Sequence, residues 1–297
     1  MRYAAYGSNL DTVHFHDWCE KNGHSKARLQ NGKPVFIADH EPNFGYRTRF
    51  REGGAFNLTP KIGTCTPAAI FDIDDATLEA LDEKEGVELE RYERIEVTVL
   101  DDRGGSERVL SYRVRPERVD AHQPPSEAYL NFVRNGLRAH GHDTAQLERI
   151  ARNEPAAPVP DSIFVYGTLM RDAARFDLVS RFSPRAIETT TVRGSLFKID
   201  WYPGLKLDGR GLVHGECMRF ERTDALFEVL DAYEGFGGFG QNKFESGGGS
   251  EYDRVLVRDQ SEHLCWTYEF KGAVIESARI GDGDWLKSGF SGEIYKK

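Results

Sequence analysis

Two stretches of the chain carry the same pattern of apolar and polar positions. Near the start the apolar run Tyr3-Ala4-Ala5-Tyr6 breaks at Gly7 and continues as Ser8-Asn9-Leu10. In the second half Ile163-Phe164-Val165-Tyr166 breaks at Gly167 and continues as Thr168-Leu169-Met170, its tyrosine 160 positions after the first. A strand that ends in Tyr-Gly turns its next backbone N–H groups off the ladder, where they can meet a bound anion or a developing oxyanion. The chain reads as two copies of one module.

In the first copy, Asp11 to Asn22 predicts a short helix. From Arg28 to Phe71, Gly and Pro punctuation separates four expected strands at Val35–Ala38, Tyr46–Phe50, Ala55–Leu58 and Ala68–Phe71. Asp75 caps an expected helix in which Leu78 and Leu81 share a face, and Gly86 terminates it directly after Glu85. Glu85 then stands at a helix C-terminus, where the partial negative charge and some desolvation favour its protonated form. Tyr92 to Val99 alternates as a strand, and Arg108 to Val114 is its expected hairpin partner. Ser126 is the expected N-cap of an amphipathic helix from Glu127 to His140, closed by Gly141.

The second copy repeats these marks in order. Thr223 caps an expected helix with a stripe of Leu226, Phe227, Leu230 and Tyr233 that ends Leu230-Asp231-Ala232-Tyr233-Glu234-Gly235, against Leu81-Asp82-Glu83-Lys84-Glu85-Gly86 in the first copy. Each is followed by a Tyr-acid-Arg strand, Tyr92-Glu93-Arg94 and Tyr252-Asp253-Arg254. The second copy carries a glycine-rich insertion, Phe236 to Ser250, read as a rim over its site. Its Gly237-Gly238-Phe239-Gly240 follows a helix rather than a strand, which argues against a phosphate loop. The prolines of the segment 155–161 mark a linker between an expected first domain at 1–154 and a second at 162–297.

Composition narrows the function classes. With 297 residues, two domains are the natural expectation, and a net charge of −9 with no basic run excludes a nucleic-acid footprint. No apolar run is long enough to span a membrane, and no signal segment is recognised at the start, so a soluble cytoplasmic protein is expected. Cys19, Cys65, Cys217 and Cys265 lack metal-site spacing, and His14 and His16 do not share a helix face. Neither a metal nor a cofactor is expected.

These residues together resemble a tandem of γ-glutamylcyclotransferase-like domains. The first half is similar to the γ-glutamylcyclotransferases proper through Tyr6-Gly7-Ser8-Asn9-Leu10, Asp82 to Val87, Tyr92 and Pro124-Pro125-Ser126 to Tyr129. The second is similar to the γ-glutamylamine cyclotransferase branch through Tyr166-Gly167-Thr168-Leu169, Tyr202-Pro203-Gly204-Leu205, Gly215-Glu216, Leu230 to Glu234 and Gly283-Asp284-Trp285. The resemblance implies an α+β fold in which each domain is a small mixed β-barrel with peripheral helices. It also implies a small-molecule γ-glutamyl substrate, cleaved to 5-oxoproline and a free amine.

Under that resemblance Glu85 and Glu234 are the expected general acid/bases. Tyr6, Gly7, Ser8, Asn9, Leu10, Tyr92 and Tyr129 are the expected substrate-binding residues of the first site, with Tyr166, Gly167, Thr168, Leu169 and Tyr252 at the second. Three other readings stand beside this one. The fold can serve binding or scaffolding alone, in one half or both. A hydrolase with Ser8 as nucleophile lacks a histidine at a repeated position. A cyclotransferase that removes a γ-glutamyl protecting group would use the same chemistry on a different leaving amine.

Overall fold

The computed structural model describes residues 1–48, 53–239 and 251–289. The end of the strand expected over Tyr46–Phe50 and most of the glycine-rich insertion, from Gly240 on, lie outside the described residues. Two compact units emerge, one of Met1–Val99 with Glu107–Ala157, the other of Leu100–Ser106 with Pro158–Lys297.

The first unit opens with β1 (Arg2–Ala5) and α1 (Thr12–Lys21), the latter capped by Asp11, whose carboxylate accepts from the His14 amide. The four strands expected next are two. β2 (Gln30–Thr48) and β3 (Gly53–Asp72) form one long antiparallel hairpin that runs through Pro34, Pro42, Pro60 and Pro67. Its register shifts between Ala38 and His40 and between Asn43 and Tyr46, so the local irregularities bend the strands rather than end them. After α2 (Asp75–Glu85) come β4 (Tyr92–Leu100) and β5 (Ser106–Val114), and the order β1-β3-β2-β4-β5 closes a barrel.

The cap of α2 is Asp74 rather than Asp75. Asp74 has extended backbone angles and accepts from the Thr77 amide at 2.8 Å, while Asp75 is already in the first turn. At the other end Gly86 sits at φ 68°, the left-handed C-cap that glycine adopts without strain. α3 (Glu127–Ala139), capped by Ser126, buries Tyr129, Leu130, Val133 and Leu137, and α4 (Ala145–Ala151) follows.

The second unit comprises β6 (Ser162–Val165), α5 (Asp177–Ser180), β7 (Ala186–Arg193), β8 (Ser195–Lys198), β9 (Pro203–Lys206), β10 (Leu212–Arg219), α6 (Asp224–Glu234), β11 (Tyr252–Arg258), β12 (Leu264–Phe270) and β13 (Arg279–Ile280). Its strands form a five-stranded sheet, β11-β12-β6-β10-β7, and a three-stranded sheet, β13-β8-β9. In both units the opening strand has one antiparallel and one parallel neighbour. β1 pairs with β3 and, through Tyr3 and Leu110, with β5; β6 pairs with β10 and, through Ile163 and Trp266, with β12. The fold is thus α+β with mixed sheets, and the opening strand delivers each Tyr-Gly turn from the middle of its sheet. α6 ends as α2 does, at a left-handed glycine, Gly235 with φ 69°.

Candidate active sites

In the first unit the Tyr-Gly turn meets the C-terminus of α2. Tyr6, Gly7, Ser8, Asn9, Glu85, Tyr92 and Tyr129 line one cavity of about 20 Å³, which Tyr3, Phe56 and Tyr112 complete. That is room for about one water molecule. Asn9 reaches across it, its Nδ2 donating to Glu85 Oε1 at 2.8 Å and to the Tyr3 hydroxyl at 3.0 Å. The backbone of Phe56 holds both flanking tyrosines: its amide donates to the Tyr129 hydroxyl at 3.2 Å and its carbonyl accepts from the Tyr92 hydroxyl at 3.4 Å. Glu85, Tyr92 and Tyr129 also border a wider groove of about 880 Å³. Leu10 does not line the cavity. It is buried in the core against α3, where a Cβ on Gly136 would stand 2.2 Å from Leu10 Cβ. An apolar side chain one position past the turn serves packing here.

The second cavity is larger, about 220 Å³, and is lined by Tyr166, Gly167, Thr168, Leu169, Glu234 and Tyr252. Trp201, Tyr202, Pro203, Tyr233, Glu251 and Tyr268 add to its wall. Tyr252 donates to the Pro203 carbonyl at 2.9 Å, Tyr202 donates to Glu251 Oε2 at 3.0 Å, and Thr168 Oγ1 lies 3.5 Å from the Tyr233 hydroxyl. Gly167 is required by its neighbour, since a Cβ there would stand 2.5 Å from Pro203 Cγ. Leu169 occupies the position of Asn9 in the repeat and offers no donor to the glutamate. Burial, reinforced by the carboxylates of Glu251 and Asp231, pushes the Glu234 carboxyl up to about 8. Tyr166, Tyr252 and Tyr268 are all held well above the usual phenol range, mainly by burial, so they stay protonated, each hydroxyl donating to a protein acceptor.

A hydrogen-bond network recurs behind both glutamates, and the sequence reading missed its central residue. In the first unit the Tyr6 hydroxyl donates to the Tyr112 carbonyl at 2.8 Å, and the Tyr112 hydroxyl donates to Asp82 Oδ1 at 2.8 Å. Arg94 binds the same carboxylate through Nε at 2.8 Å. In the second unit Tyr166 donates to the Tyr268 carbonyl at 2.8 Å and Tyr268 to Asp231 Oδ1 at 2.6 Å, with Arg254 Nη1 3.4 Å from Asp231 Oδ2. The Leu-Asp and Tyr-acid-Arg marks are therefore two ends of one structure, which ties the last turn of the helix to the sheet three residues before the glutamate. A sequence signal for the missing tyrosine exists. Ser111-Tyr112 and Thr267-Tyr268 recur, and each hydroxyl residue donates to the opening strand, Ser111 to the Ala4 carbonyl at 2.9 Å and Thr267 to the Phe164 carbonyl at 3.0 Å.

Residues 163–287 match the family described as Gamma-glutamyl cyclotransferase, AIG2-like, and residues 68–148 match the AIG2-like family. Both units are thus of the AIG2-like class. The chain is a tandem γ-glutamylcyclotransferase-like protein, with one such domain in each half.

Among solved structures, a γ-glutamyl cyclotransferase is 24% identical over 52% of this chain and 88% of its own, with a TM-score of 0.44. YkqA from Bacillus subtilis is 14% identical over 93% of this chain and 85% of its own, with a TM-score of 0.34. The γ-glutamyl cyclotransferase specific to glutathione from yeast is 14% identical over 52% of this chain and 96% of its own, with a TM-score of 0.32. The assignment rests on the family matches. No curated protein matches the chain significantly. No helix among the described residues is long and apolar enough to cross a membrane.

Proposed function

We propose that the chain is a cyclotransferase with two active sites, in domains at 1–154 and 162–297 joined by the segment 155–161. Each site cleaves a γ-glutamyl amide by attack of the substrate's own α-amine on its γ-carbonyl, releasing 5-oxoproline and the free amine. The observation that carries this reading is the placement of Glu234 in a tyrosine-lined cavity facing the Tyr166-Gly167-Thr168 turn, with Glu85 set in the same relation to Tyr6-Gly7-Ser8.

The chemistry needs one group that first takes a proton and then gives it back. The α-ammonium must lose a proton before its nitrogen can attack, and the departing nitrogen must gain one. A carboxyl raised to about 8 is a far better acceptor for an ammonium proton than an ordinary carboxylate, because the gap between donor and acceptor is smaller. Glu234 accepts the ammonium proton as a carboxylate and delivers it to the leaving amine. Backbone N–H groups of Gly7 and Ser8, and of Gly167 and Thr168, hold the substrate carboxylate or the tetrahedral oxyanion, worth about 3 kcal/mol per donor. The hydroxyls of Tyr92, Tyr129 and Tyr252 orient the substrate. No step calls on a metal or cofactor.

The test is 5-oxoproline release from a panel of γ-glutamyl amino acids and γ-glutamylamines. Glu85→Gln and Glu234→Gln each remove a different part of the substrate range, by about 10²–10⁴-fold in kcat. The reading fails if a folded wild-type protein releases 5-oxoproline from nothing in the panel, which would leave a binding role for the same cavities.

A further inference from the structure

Cys217 on β10 and Cys265 on β12 lie on the two strands that flank β6, and both are buried. Forty-eight residues separate them in the chain, yet their sulfurs are 3.8 Å apart. A disulfide needs about 2.0 Å. Two thiolates on one tetrahedral zinc, each about 2.3 Å from the metal, stand about 3.8 Å from each other.

Asp259 supplies a third donor from the turn that joins β11 to β12. One of its carboxylate oxygens and the two sulfurs all lie within 4.8 Å of one another, the one group of this kind among the described residues. The carboxylate is held in place from outside the group. Oδ1 accepts from the amides of Ser261 at 2.8 Å and His263 at 3.0 Å, and Oδ2 accepts from Thr190 Oγ1 at 3.2 Å. Such hydrogen bonds orient a ligating carboxylate. The His263 imidazole lies beside this carboxylate, its Nδ1 3.7 Å from Asp259 Oδ2 and its side chain half exposed at the turn.

We propose that Cys217, Asp259 and Cys265 bind one borderline-soft divalent cation of the zinc type, with water or the His263 imidazole beside Asp259 completing the fourth position. Two sulfurs with an oxygen or imidazole nitrogen select such a cation over magnesium or calcium. On binding, both thiol protons pass to solvent, including the one Cys265 shares with the His263 carbonyl at 3.3 Å. Two thiolates and a carboxylate around a dication leave one negative charge, and Arg219 Nη2, 3.4 Å from His263 Nδ1, stands ready to balance it. The cation joins the β11–β12 turn to β10. None of these residues lines the cavity around Glu234, so the site stands or falls apart from the cyclotransferase reading.

The experiment uses the full chain, loaded with zinc, dialysed against metal-free buffer and analysed for metal. About one zinc per chain is expected, with cobalt in its place giving the near-ultraviolet thiolate charge-transfer band. Cys217→Ser and Asp259→Asn, checked by circular dichroism, weaken zinc retention by about ten-fold or more, and zinc raises the Tm of the wild type but not of these variants. Should a variant fail to fold, Cys265→Ala in the same titration replaces it. The proposal is overturned if the folded wild type takes up neither zinc nor cobalt, if Cys217→Ser binds zinc as the wild type does, or if thiol counting finds Cys217 and Cys265 joined as a disulfide.

Discussion

At the residue scale the two glutamates hold equivalent places in the repeat with different company. Asn9 donates to Glu85, whereas Leu169 leaves Glu234 without that donor and beside the charge of Glu251. Because Glu234 must be ionised to accept a proton, second-site activity rises as pH rises through about 8. Glu251→Gln removes one of the negative charges that raise it, so the rise moves to lower pH. A kcat profile on a second-site substrate reads the shift, and an unmoved profile would show that Glu251 does not act on Glu234.

The two arginines of the network also diverge. The Arg254 side chain is fully buried, with its guanidinium 4.7–5.3 Å from the rings of Phe227, Phe236, Phe239 and Trp266, while Arg94 is half exposed. Arg254→Ala empties a fully buried aromatic-lined position and removes the cation beside the partly buried Asp231, and should cost about 2–4 kcal/mol of unfolding free energy. Arg94→Ala at the surface should cost about 0–1 kcal/mol. Urea denaturation of the two variants measures the difference.

At the element scale, α2 and α6 each present their glutamate at the last helical residue and stop at a left-handed glycine. The stop is local backbone chemistry, and it aims the carboxyl at the Tyr-Gly turn only because the Asp–Tyr network anchors the preceding turn. The start of α2 is equally local. Asp74→Ala should lower stability by about 1 kcal/mol, since it removes the acceptor for the Thr77 amide. Asp75→Ala should change it by no more than about 0.5 kcal/mol. Equal losses from the two variants would contradict the cap assignment.

For the whole molecule, Glu234 makes stability depend on pH. Its ordinary value of 4.5 rises to about 8 on folding, so the folded state binds more protons than the unfolded state between those values. Stability from this group is fully present below about 4.5 and declines as pH rises through about 8. Glu234→Gln removes the titrating group and should flatten the fall in Tm between pH 6 and pH 9, measured by calorimetry at constant ionic strength. A fall as steep as in the wild type would place the titrating group elsewhere.

The amino-acid sequence by itself determined the repeat and its local geometry. Tyr-Gly turns, helix stops at Gly86 and Gly235, the Ser126 cap and both glutamates are readable because each depends on a few adjacent residues and their backbone preferences. Tertiary structure alone decided what pairs across distance. Pro and Gly punctuation predicted four strands where barrel closure makes two curved ones, because a strand that is bent and paired along its length tolerates breaks that would end a free one. Tyr6 meets the carbonyl of Tyr112 over 106 residues, and Cys217 meets Cys265 over 48. Neither pairing has a local signal, since strand order and register set which side chains face each other and no short window of sequence contains both partners.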